Sequence, residues 1–244
     1  MKKLLTFGLS IFIFLSGLSP TGAEEKKVRK FNPNKNSHVV YYIPHQDDEA
    51  LTFGLSIMNH VKAGHNVHIV LMTDGTASFV RKKLNMTELE FSKARNREFS
   101  NSLDAMNIDP KNIDYRNIKD GALTVADVEK VVKEYEKKYP KAKHKTFSWT
   151  DPHSDHANLG VALKKLEKAG VVSDARYYVK RDSNPEGIRL TTERYVEAYK
   201  PSLLSVSTAY KVEDSKRGLY GIGYKSVKKS FIAFEKQPLS RYHR

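Results

Sequence analysis

The sequence predicts an α/β fold, a Rossmann-like three-layer sandwich with a mostly parallel central sheet. Residues 39–43 (VVYYI) form a short apolar run that is typical of a strand covered on both faces. Residues 49–63 follow with apolar side chains at helical spacing, and residues 67–72 return to an apolar run. This strand, helix and strand make a βαβ unit, and its crossover connection places the two strands parallel.

The remaining elements continue this alternation. Further helices are predicted over 87–106, 124–139 and 161–169, and further strands over 144–149, 203–210 and 229–235. Thr87 and Glu90 form a capping box at the start of one helix. Pro140 ends the second helix and Gly170 ends the third.

The first residues are predicted to lie outside the globular domain. Lys2 and Lys3 precede an apolar run over 4–18, and small residues follow at 21–23, an order typical of a secretory signal peptide. The run is shorter than the roughly twenty residues of a membrane span, so an uncleaved anchor is the less favoured alternative. We expect a secreted or cell-wall-associated protein, without a transmembrane segment after cleavage, that has a signal peptide over 1–23, a charged linker over 24–37 and one domain over 38–244.

Composition limits the kinds of site and partner. The chain of 244 residues has no cysteine, so any metal must be bound by His, Asp or Glu. The formal net charge is +14 at pH 7, but the basic residues are scattered and accompany no nucleic-acid-binding motif. We therefore expect no nucleic acid as partner. In an exported protein the charge suits an anionic cell wall, or it serves solubility alone.

Two polar clusters stand directly after predicted strands. The first is residues 45–49 (HQDDE) and the second is residues 151–156 (DPHSDH). Taken singly, an acidic helix start or a polar loop explains each cluster. Open parallel sheets, however, bind ligands outside the carboxyl ends of their strands. The occurrence of both clusters at such ends predicts a functional site.

The residue types suit a catalytic zinc centre. His45 and Asp48 are three residues apart in a chain entering a helix, so their side chains reach the same side, whereas Asp47 points elsewhere. A third ligand comes from His153 or His156, and the spacing does not choose between them. Three nitrogen and oxygen ligands leave a position for water at zinc, and a free carboxylate nearby can accept a proton as water attacks a carbonyl.

At this point the motifs are similar to those of a known family. Residues 44–49 (PHQDDE) resemble the Pro-His-Pro-Asp-Asp-Glu signature of the PIG-L/LmbE-like zinc-dependent N-deacetylases. Residues 153–156 (HSDH) resemble that family's downstream His-Pro-Asp-His, and the resemblance extends over about residues 38–170. Gln46 and Ser154 stand where the family has proline, and neither departure changes a proposed ligand.

The resemblance implies an exported hydrolase that uses Zn²⁺ to remove an acetyl group from an N-acetylated amino sugar or glycoconjugate. The implied zinc ligands are His45, Asp48 and His156. The implied general base is Asp47, and His153 would stabilise the oxyanion of the tetrahedral intermediate. Asp155 would orient a ligating histidine, as such histidines commonly require.

Two other functions are weighed against this one. A metal-dependent phosphoesterase also uses His and Asp, but a two-metal centre needs more carboxylates than the two clusters supply. A catalytically inactive cell-wall-binding protein would keep the motif as a relic. The retention of Asp47 beside all three proposed ligands argues against that alternative.

Overall fold

The computed structural model describes residues 37–244, so the predicted signal peptide and all but the last residue of the predicted linker lie outside the described residues. The strands are β1 (His38–Ile43), β2 (Asn66–Thr73), β3 (Ile113–Ile118), β4 (Lys143–Phe147), β5 (Asp174–Val179), β6 (Thr191–Thr192), β7 (Glu213–Asp214), β8 (Leu219–Tyr220) and β9 (Arg241–His243). Seven of them form one sheet in the order β3-β2-β1-β4-β5-β9-β6. The first five are parallel, and β9 runs antiparallel to both β5 and β6.

Helices flank this sheet. They are α1 (Asp48–Leu51), α2 (Gly54–Lys62), α3 (Val80–Lys83), α4 (Glu88–Ala105), α5 (Val125–Lys138), α6 (Ser154–Lys168), α7 (Lys200–Ala209), α8 (Ile222–Ser226) and α9 (Lys228–Lys236). Short 3-10 helices lie at Pro110–Asn112, Glu197–Tyr199 and Ser215–Arg217. Within the described range 37–244, no helix has both the length and the apolar character that a membrane crossing requires.

The central strand β1 shows why the fold has three layers. Successive side chains of a strand point to opposite faces, and here both faces are apolar and buried. Tyr41 and Ile43 pack in the layer formed by α2, α4, α7 and α9, whereas Val40 and Tyr42 pack in the layer formed by α5 and α6. Full burial of each apolar side chain stabilises the fold by about 1.5–3 kcal/mol. The predicted three-layer α/β architecture is confirmed.

Sheet topology determines where the polar clusters meet. From β1 the chain proceeds outward to β2 and β3 on one side, then returns to build β4 and β5 on the other side. The strand order therefore reverses between β1 and β4, which leaves a crevice at their carboxyl ends. Residues 45–49 follow β1 and residues 151–156 follow β4. Both clusters consequently lie at this crevice.

Two predicted helices are confirmed together with their starts. α4 begins after Thr87, whose hydroxyl accepts a hydrogen bond from the backbone N–H of Glu90 at 3.3 Å while the Glu90 carboxylate accepts from Thr87 N–H. α5 has an equivalent capping box between Thr124 and Asp127. Each such cap satisfies amide groups that the first turn of a helix leaves free.

The strands predicted over 203–210 and 229–235 are wrong, because the structure has helices α7 and α9 there. In α7 the buried side chains Leu203 and Val206 are three residues apart, and in α9 Phe231 and Phe234 have the same spacing. This period places each pair on one helical face against the core. β-branched and aromatic content suggested strands, but burial along one helical face decided the outcome.

Two helix boundaries also differ from the expectation. The single helix predicted over 49–63 is interrupted at Thr52 and Phe53, so that α1 and α2 are separate. The helix predicted over 161–169 begins seven residues earlier, at Ser154. The second polar cluster therefore runs into the first turn of α6, which fixes the direction of its side chains.

Candidate active site

The turn that carries the first cluster depends on an unusual backbone conformation. Asp47 has φ 114° and ψ −28°, a region that few residues other than glycine adopt and that costs about 1–3 kcal/mol. Its backbone N–H donates to Oε2 of Glu49 at 3.0 Å. Oε1 of Glu49 in turn accepts hydrogen bonds from Ser102 at 2.6 Å and Tyr210 at 2.5 Å. The strained turn is thus attached to α4 and to the end of α7.

A buried arginine on α4 holds the same turn from the other side. Arg95 donates to the carbonyl oxygen of Gln46, to the carbonyl oxygen of Gly75 at 2.8 Å and to Oδ2 of Asp47 at 3.1 Å. The Gln46 side-chain amide donates to Oδ1 of Asn96 at 2.7 Å. Gly75 has φ +67°, and a Cβ atom there would collide with Gln46 and with the Arg95 guanidinium. Glycine suits this position because it adopts the positive φ without strain and leaves room for the Gln46 and Arg95 side chains.

Three donor atoms face one another where β1 and α6 meet. Nδ1 of His45 lies 3.1 Å from Nε2 of His156 and 3.3 Å from Oδ2 of Asp48. The distance between Nε2 of His156 and Oδ2 of Asp48 is also 3.3 Å. Donors held tetrahedrally at about 2.0–2.2 Å from one zinc ion would be separated by roughly 3.3–3.6 Å. Two imidazole nitrogens and one carboxylate are also donors that zinc prefers. The triangle therefore fits a zinc ion in size and in chemistry.

Carboxylates contact the outer nitrogens of both histidines. Nε2 of His45 lies 3.1 Å from Oδ2 of Asp155 and 3.2 Å from Oδ1 of Asp120. Nδ1 of His156 lies 3.4 Å from Oδ2 of Asp151. A carboxylate on the far nitrogen fixes the orientation and tautomer of a ligating imidazole. Asp155 is thus placed to orient His45, and Asp151 is placed to orient His156.

His45 also belongs to two looser donor groups. One joins it to His153 and His156, and the other joins it to Asp120 and Asp155; within each group the donor atoms lie within 4.8 Å of one another. The group with the two aspartates uses Nε2 of His45, whereas the triangle with Asp48 and His156 uses Nδ1. The two sets therefore lie on opposite edges of one ring, and the triangle is the tighter set.

His153 has a different environment from His156, although both were candidates for the third ligand. It is the N-cap of α6, and its Nδ1 accepts a hydrogen bond from the backbone N–H of Asp155 at 3.3 Å. In the neutral ring this arrangement leaves the proton on Nε2 as a donor. His153 is exposed to the cavity, whereas His156 is buried. His153 consequently presents a hydrogen-bond donor to the cavity, whereas Nε2 of His156 faces His45 and Asp48 in the donor triangle.

The charged groups perturb one another strongly. Burial raises the pKa of Asp47 to about 7, although the nearby Arg95 guanidinium opposes this rise. For Asp48, burial alone would raise the pKa, but His156 and His45 hold it far below its usual range. Burial lowers the pKa of His45, yet its carboxylate neighbours outweigh that effect and raise the pKa well above the ordinary value. Adjacent aspartates thus differ sharply in their affinity for protons.

These residues line one open cavity of about 750 Å³. Its lining includes His45, Asp47, Asp48, Asp120, Asp151, His153 and His156. Leu51, Val227 and Ala233 add apolar surface, and Lys180, Arg181 and Lys229 add positive charge. A cavity of this size is typical of small-molecule sites. All the sequence-predicted site residues except Asp155 line this cavity, and Asp155 is buried behind His45.

Sequence reasoning missed Arg95 and gave no role to Asp120 or Asp151. A signal for Arg95 was present, because it lies with Phe91, Ala94 and Phe99 on the buried stripe of α4. A charged residue within an apolar stripe needs a buried partner, and here that partner is Asp47. Asp120 had no comparable local signal, since only tertiary contacts bring it to His45.

Comparison with known proteins extends these observations. The family profile PIG-L, described as GlcNAc-PI de-N-acetylase, matches residues 40–166. No curated protein sequence matches the chain significantly. The N,N'-diacetylchitobiose deacetylase from Pyrococcus horikoshii is similar in structure, with TM-score 0.58 and 17% identity, over 84% of this chain and 80% of that chain.

Two further structures have the same fold. The zinc-inhibited form of the teicoplanin deacetylase Orf2 has TM-score 0.58 and 13% identity, over 85% of this chain and 97% of that chain. The 4-carboxy-2-hydroxymuconate hydratase from Pseudomonas putida KT2440 also has TM-score 0.58 and 13% identity, over 85% of this chain and 94% of its own. Because proteins named as a deacetylase and as a hydratase share this architecture, the fold alone does not determine the reaction.

Proposed function

Because the chain belongs to the PIG-L family, we propose that it is a zinc-dependent hydrolase that removes the acetyl group from an N-acetylated amino sugar or glycoconjugate. The observation that carries this proposal is the donor triangle of His45, Asp48 and His156, with separations of 3.1–3.3 Å. Asp47 lies beside the triangle but is held away from it by Arg95. A separate carboxylate next to a three-donor site suits metal-assisted hydrolysis.

The proposed zinc ligands are His45, Asp48 and His156. A zinc ion held there would lower the pKa of a coordinated water to about 7. We assign Asp155 and Asp151 to orienting the two histidines, because their carboxylates contact the outer ring nitrogens at 3.1 Å and 3.4 Å.

Asp47 and His153 carry the proton transfer and the charge stabilisation in this proposal. The Asp47 carboxylate accepts a proton as water attacks the acetyl carbonyl, and it returns the proton to the departing amine when the C–N bond breaks. His153 donates from Nε2 to the oxygen that becomes negatively charged. A C–O bond forms and the C–N bond breaks; one proton of the water reaches the amine nitrogen through Asp47, and the second is given up when the new acetic acid ionises, so the products are acetate and the protonated amine.

The test is acetate release from N-acetylglucosamine conjugates, measured with chelated protein and with protein to which zinc is returned. We expect release that depends on zinc, at roughly one bound zinc per chain. Two tightly bound metals per chain, the second between the outer edge of His45 and the two aspartates Asp120 and Asp155, would favour the phosphoesterase alternative. Absence of acetate release in every condition would favour the inactive binding protein.

Export is a separate part of the proposal and rests on the sequence alone. The basic start, the apolar run over 4–18 and the small residues at 21–23 support cleavage of a signal peptide. The secreted protein should then begin near Glu24, which intact-mass measurement of the protein from culture medium can check. Retention of Met1 in that protein would contradict the proposal.

A further inference from the structure

Asp151 contacts both histidines of the second polar cluster. Its Oδ1 accepts a hydrogen bond from the backbone N–H of His153 at 2.9 Å, and its Oδ2 lies 3.4 Å from Nδ1 of His156. The Asp151 side chain is only 4% exposed, and a buried carboxylate needs partners that compensate for the loss of water. The position of this one carboxylate therefore affects both the proposed oxyanion donor and a proposed zinc ligand.

The contact between Asp151 and His156 is longer than the contacts that orient His45. The outer nitrogen of His45 lies 3.1 Å from Asp155, whereas the distance from His156 to Asp151 exceeds the roughly 2.7–3.2 Å of a good N–H···O hydrogen bond. Among residues 37–244, no hydrogen-bond partner satisfies Nδ1 of His156, although that atom is buried. The orientation of the His156 ring thus depends on how closely the Asp151 carboxylate is held against it.

Lys180, which lines the cavity, holds the other oxygen of this carboxylate. Its Nζ lies 3.2 Å from Oδ1 of Asp151. Phe147 at the end of β4 pairs with Tyr178 of β5 in parallel register, so the two chains leave the sheet side by side and bring residues 151 and 180 together. The ion pairs that Asp151 forms in the described part of the chain are those with His156 and Lys180. Lys180 therefore supplies the permanent positive charge beside this carboxylate.

The backbone from which Lys180 extends is fixed by an arginine on β9. Nη2 of Arg241 donates to the carbonyl oxygen of Lys180 at 3.3 Å, to that of Arg181, and to that of Ser183 at 2.8 Å. The Lys180 side chain is 44% exposed, and ion pairs as open as this usually contribute little to stability. An anchored backbone lowers the entropy cost of holding the ammonium at one place, so this pair is suited to positioning.

Resting on the proposed deacetylation, we propose that Lys180 is a positioning residue for that reaction. Lys180 fixes the Asp151 carboxylate, and Asp151 in turn orients the His156 ring and the first turn of α6. Arginine at position 180 would keep a charged donor for the carboxylate, whereas methionine would fill similar space without one. Removing a positive charge near a bound cation would by itself strengthen zinc binding. Weaker zinc binding without Lys180 would therefore reflect lost positioning.

The first test measures zinc affinity by competition with a chelator. Asp151→Asn should weaken zinc binding by about 10- to 100-fold, the usual effect of removing a group that orients a ligand. Lys180→Met, one contact farther from the metal, should weaken it by about three- to tenfold, and Lys180→Arg should stay within about twofold of the wild type. In the Asp151→Asn background, Lys180→Met should cause no further loss, because the lysine acts through that carboxylate. Lys229→Met is the control: it removes an equal charge from the lining of the same cavity but leaves the Asp151 ion pairs intact, so it should not weaken zinc binding. Unchanged or tighter zinc binding by Lys180→Met would overturn the inference, and so would a loss of equal size in the Asp151→Asn background.

The second test needs no metal. Nitrogen NMR of isotope-labelled, chelated protein reports on the ring nitrogens of His156. Lys180→Met should shift or broaden these signals as the ring loses its fixed orientation, and Lys180→Arg should leave them close to those of the wild type. In the Asp151→Asn background, Lys180→Met should leave the signals unchanged. Wild-type His156 signals in Lys180→Met would contradict the positioning role. A protein that binds no zinc or releases no acetate would contradict the proposed function, whereas these spectra would still decide the role of Lys180, so the two failures are distinguishable.

Discussion

Three consecutive carboxylates at 47–49 have three different roles at the level of single residues. The Asp48 carboxylate faces His45 and His156. The Asp47 carboxylate forms an ion pair with Arg95. The buried Glu49 carboxylate accepts hydrogen bonds from Ser102 and Tyr210, which fix the turn. The positive φ of Asp47 sends adjacent side chains in these directions. The spacing of residues in the sequence placed Asp47 apart from Asp48. It did not identify what holds Asp47, because Arg95 is 48 residues away in the chain.

The two aspartates should respond differently to substitution. Asp48→Ala removes one of the three proposed donors, so we expect zinc and activity to be lost together. Asp47→Asn keeps the size of the side chain, and asparagine tolerates positive φ, but it cannot accept the proton from the attacking water. Zinc should therefore stay bound while turnover falls by about 10²–10⁴. Metal analysis and acetate-release kinetics on both variants provide the measurement.

Two results on Asp47→Asn would contradict the roles assigned to the two aspartates. Near-normal turnover of Asp47→Asn would remove the base role, and loss of metal from that variant would mean that Asp47 is a ligand.

His153 should separate charge stabilisation from metal binding. His153→Ala deletes the Nε2 donor, so turnover should fall by about 10²–10³ while the zinc content remains unchanged. The alanine variant also loses the cap of α6, which costs about 0.5–2 kcal/mol of stability. His153→Asn restores a capping side chain but is too short to serve the substrate, so it should be as slow as the alanine variant and more stable. Ser154→Ala, the exposed neighbour, is the control, and loss of zinc from both His153 variants would assign His153 as a ligand.

At the level of elements, the sequence predicts those helices whose start and apolar period depend only on residues close together in the chain. α4 and α5 were predicted to within one residue, because their capping boxes and apolar periods are contained in the helices themselves. For α7 and α9 the sequence predicts strands instead, because the same apolar residues suit either period in a short segment. The approach of α6 to the end of β4 likewise depends on contacts between distant segments.

Gly160 on α6 controls that approach. A Cβ atom at this position would lie 2.7 Å from the carbonyl oxygen of Phe147 and closer still to the backbone of Ser148 and Trp149. Backbone cannot yield as a flexible side chain does, so Gly160→Ala should displace α6 and with it His156, one turn earlier. We expect a loss of about 1–3 kcal/mol of stability and weaker zinc binding, measured by urea unfolding and by competition with a chelator.

A second helical glycine provides the matched control. At Gly54 on α2 a Cβ atom would meet Phe234 at 3.6 Å, an ordinary contact. Gly54→Ala should therefore be tolerated, or should stabilise the protein by up to about 1 kcal/mol through helix propensity. If Gly160→Ala were equally stable and bound zinc equally well, the close approach of α6 would not position the site.

For the whole molecule, a buried lysine in the core lowers the stability of the fold. Lys145 on β4 is fully buried, its ammonium lies 5.4–5.9 Å from the rings of Tyr41, Tyr178 and Tyr242, and it donates to the Tyr178 hydroxyl at 3.1 Å. Burial, aided by the charge of Arg176, lowers the pKa of Lys145 to about 7. Cation–π contacts and one hydrogen bond thus replace hydration only in part.

This shift predicts a stability difference that depends on pH. Between pH 7 and about 10.5 Lys145 is protonated in the unfolded chain but largely neutral in the folded protein. The free energy of unfolding therefore falls as the pH is lowered through this window. Below pH 7 the lysine is protonated in both states, so its penalty is constant. Lys145→Met removes the penalty while Ser56 and Glu193 still satisfy the Tyr178 hydroxyl. The variant should therefore exceed the wild type most at pH 7, and the gap should narrow toward pH 10 by up to about 1.4 kcal/mol per pH unit.

The quantity to measure is the difference in the free energy of unfolding between Lys145→Met and the wild type, since other titrating groups such as His45 are the same in both proteins. Urea unfolding followed by the fluorescence of Trp149, the single tryptophan, gives the free energy of unfolding at each pH. Lys130→Met, at an exposed position, should show no gap that changes with pH. A gap between Lys145→Met and the wild type that stays constant from pH 7 to 10 would show that Lys145 keeps its charge in the folded protein, and that the three tyrosines solvate the ammonium as well as water does.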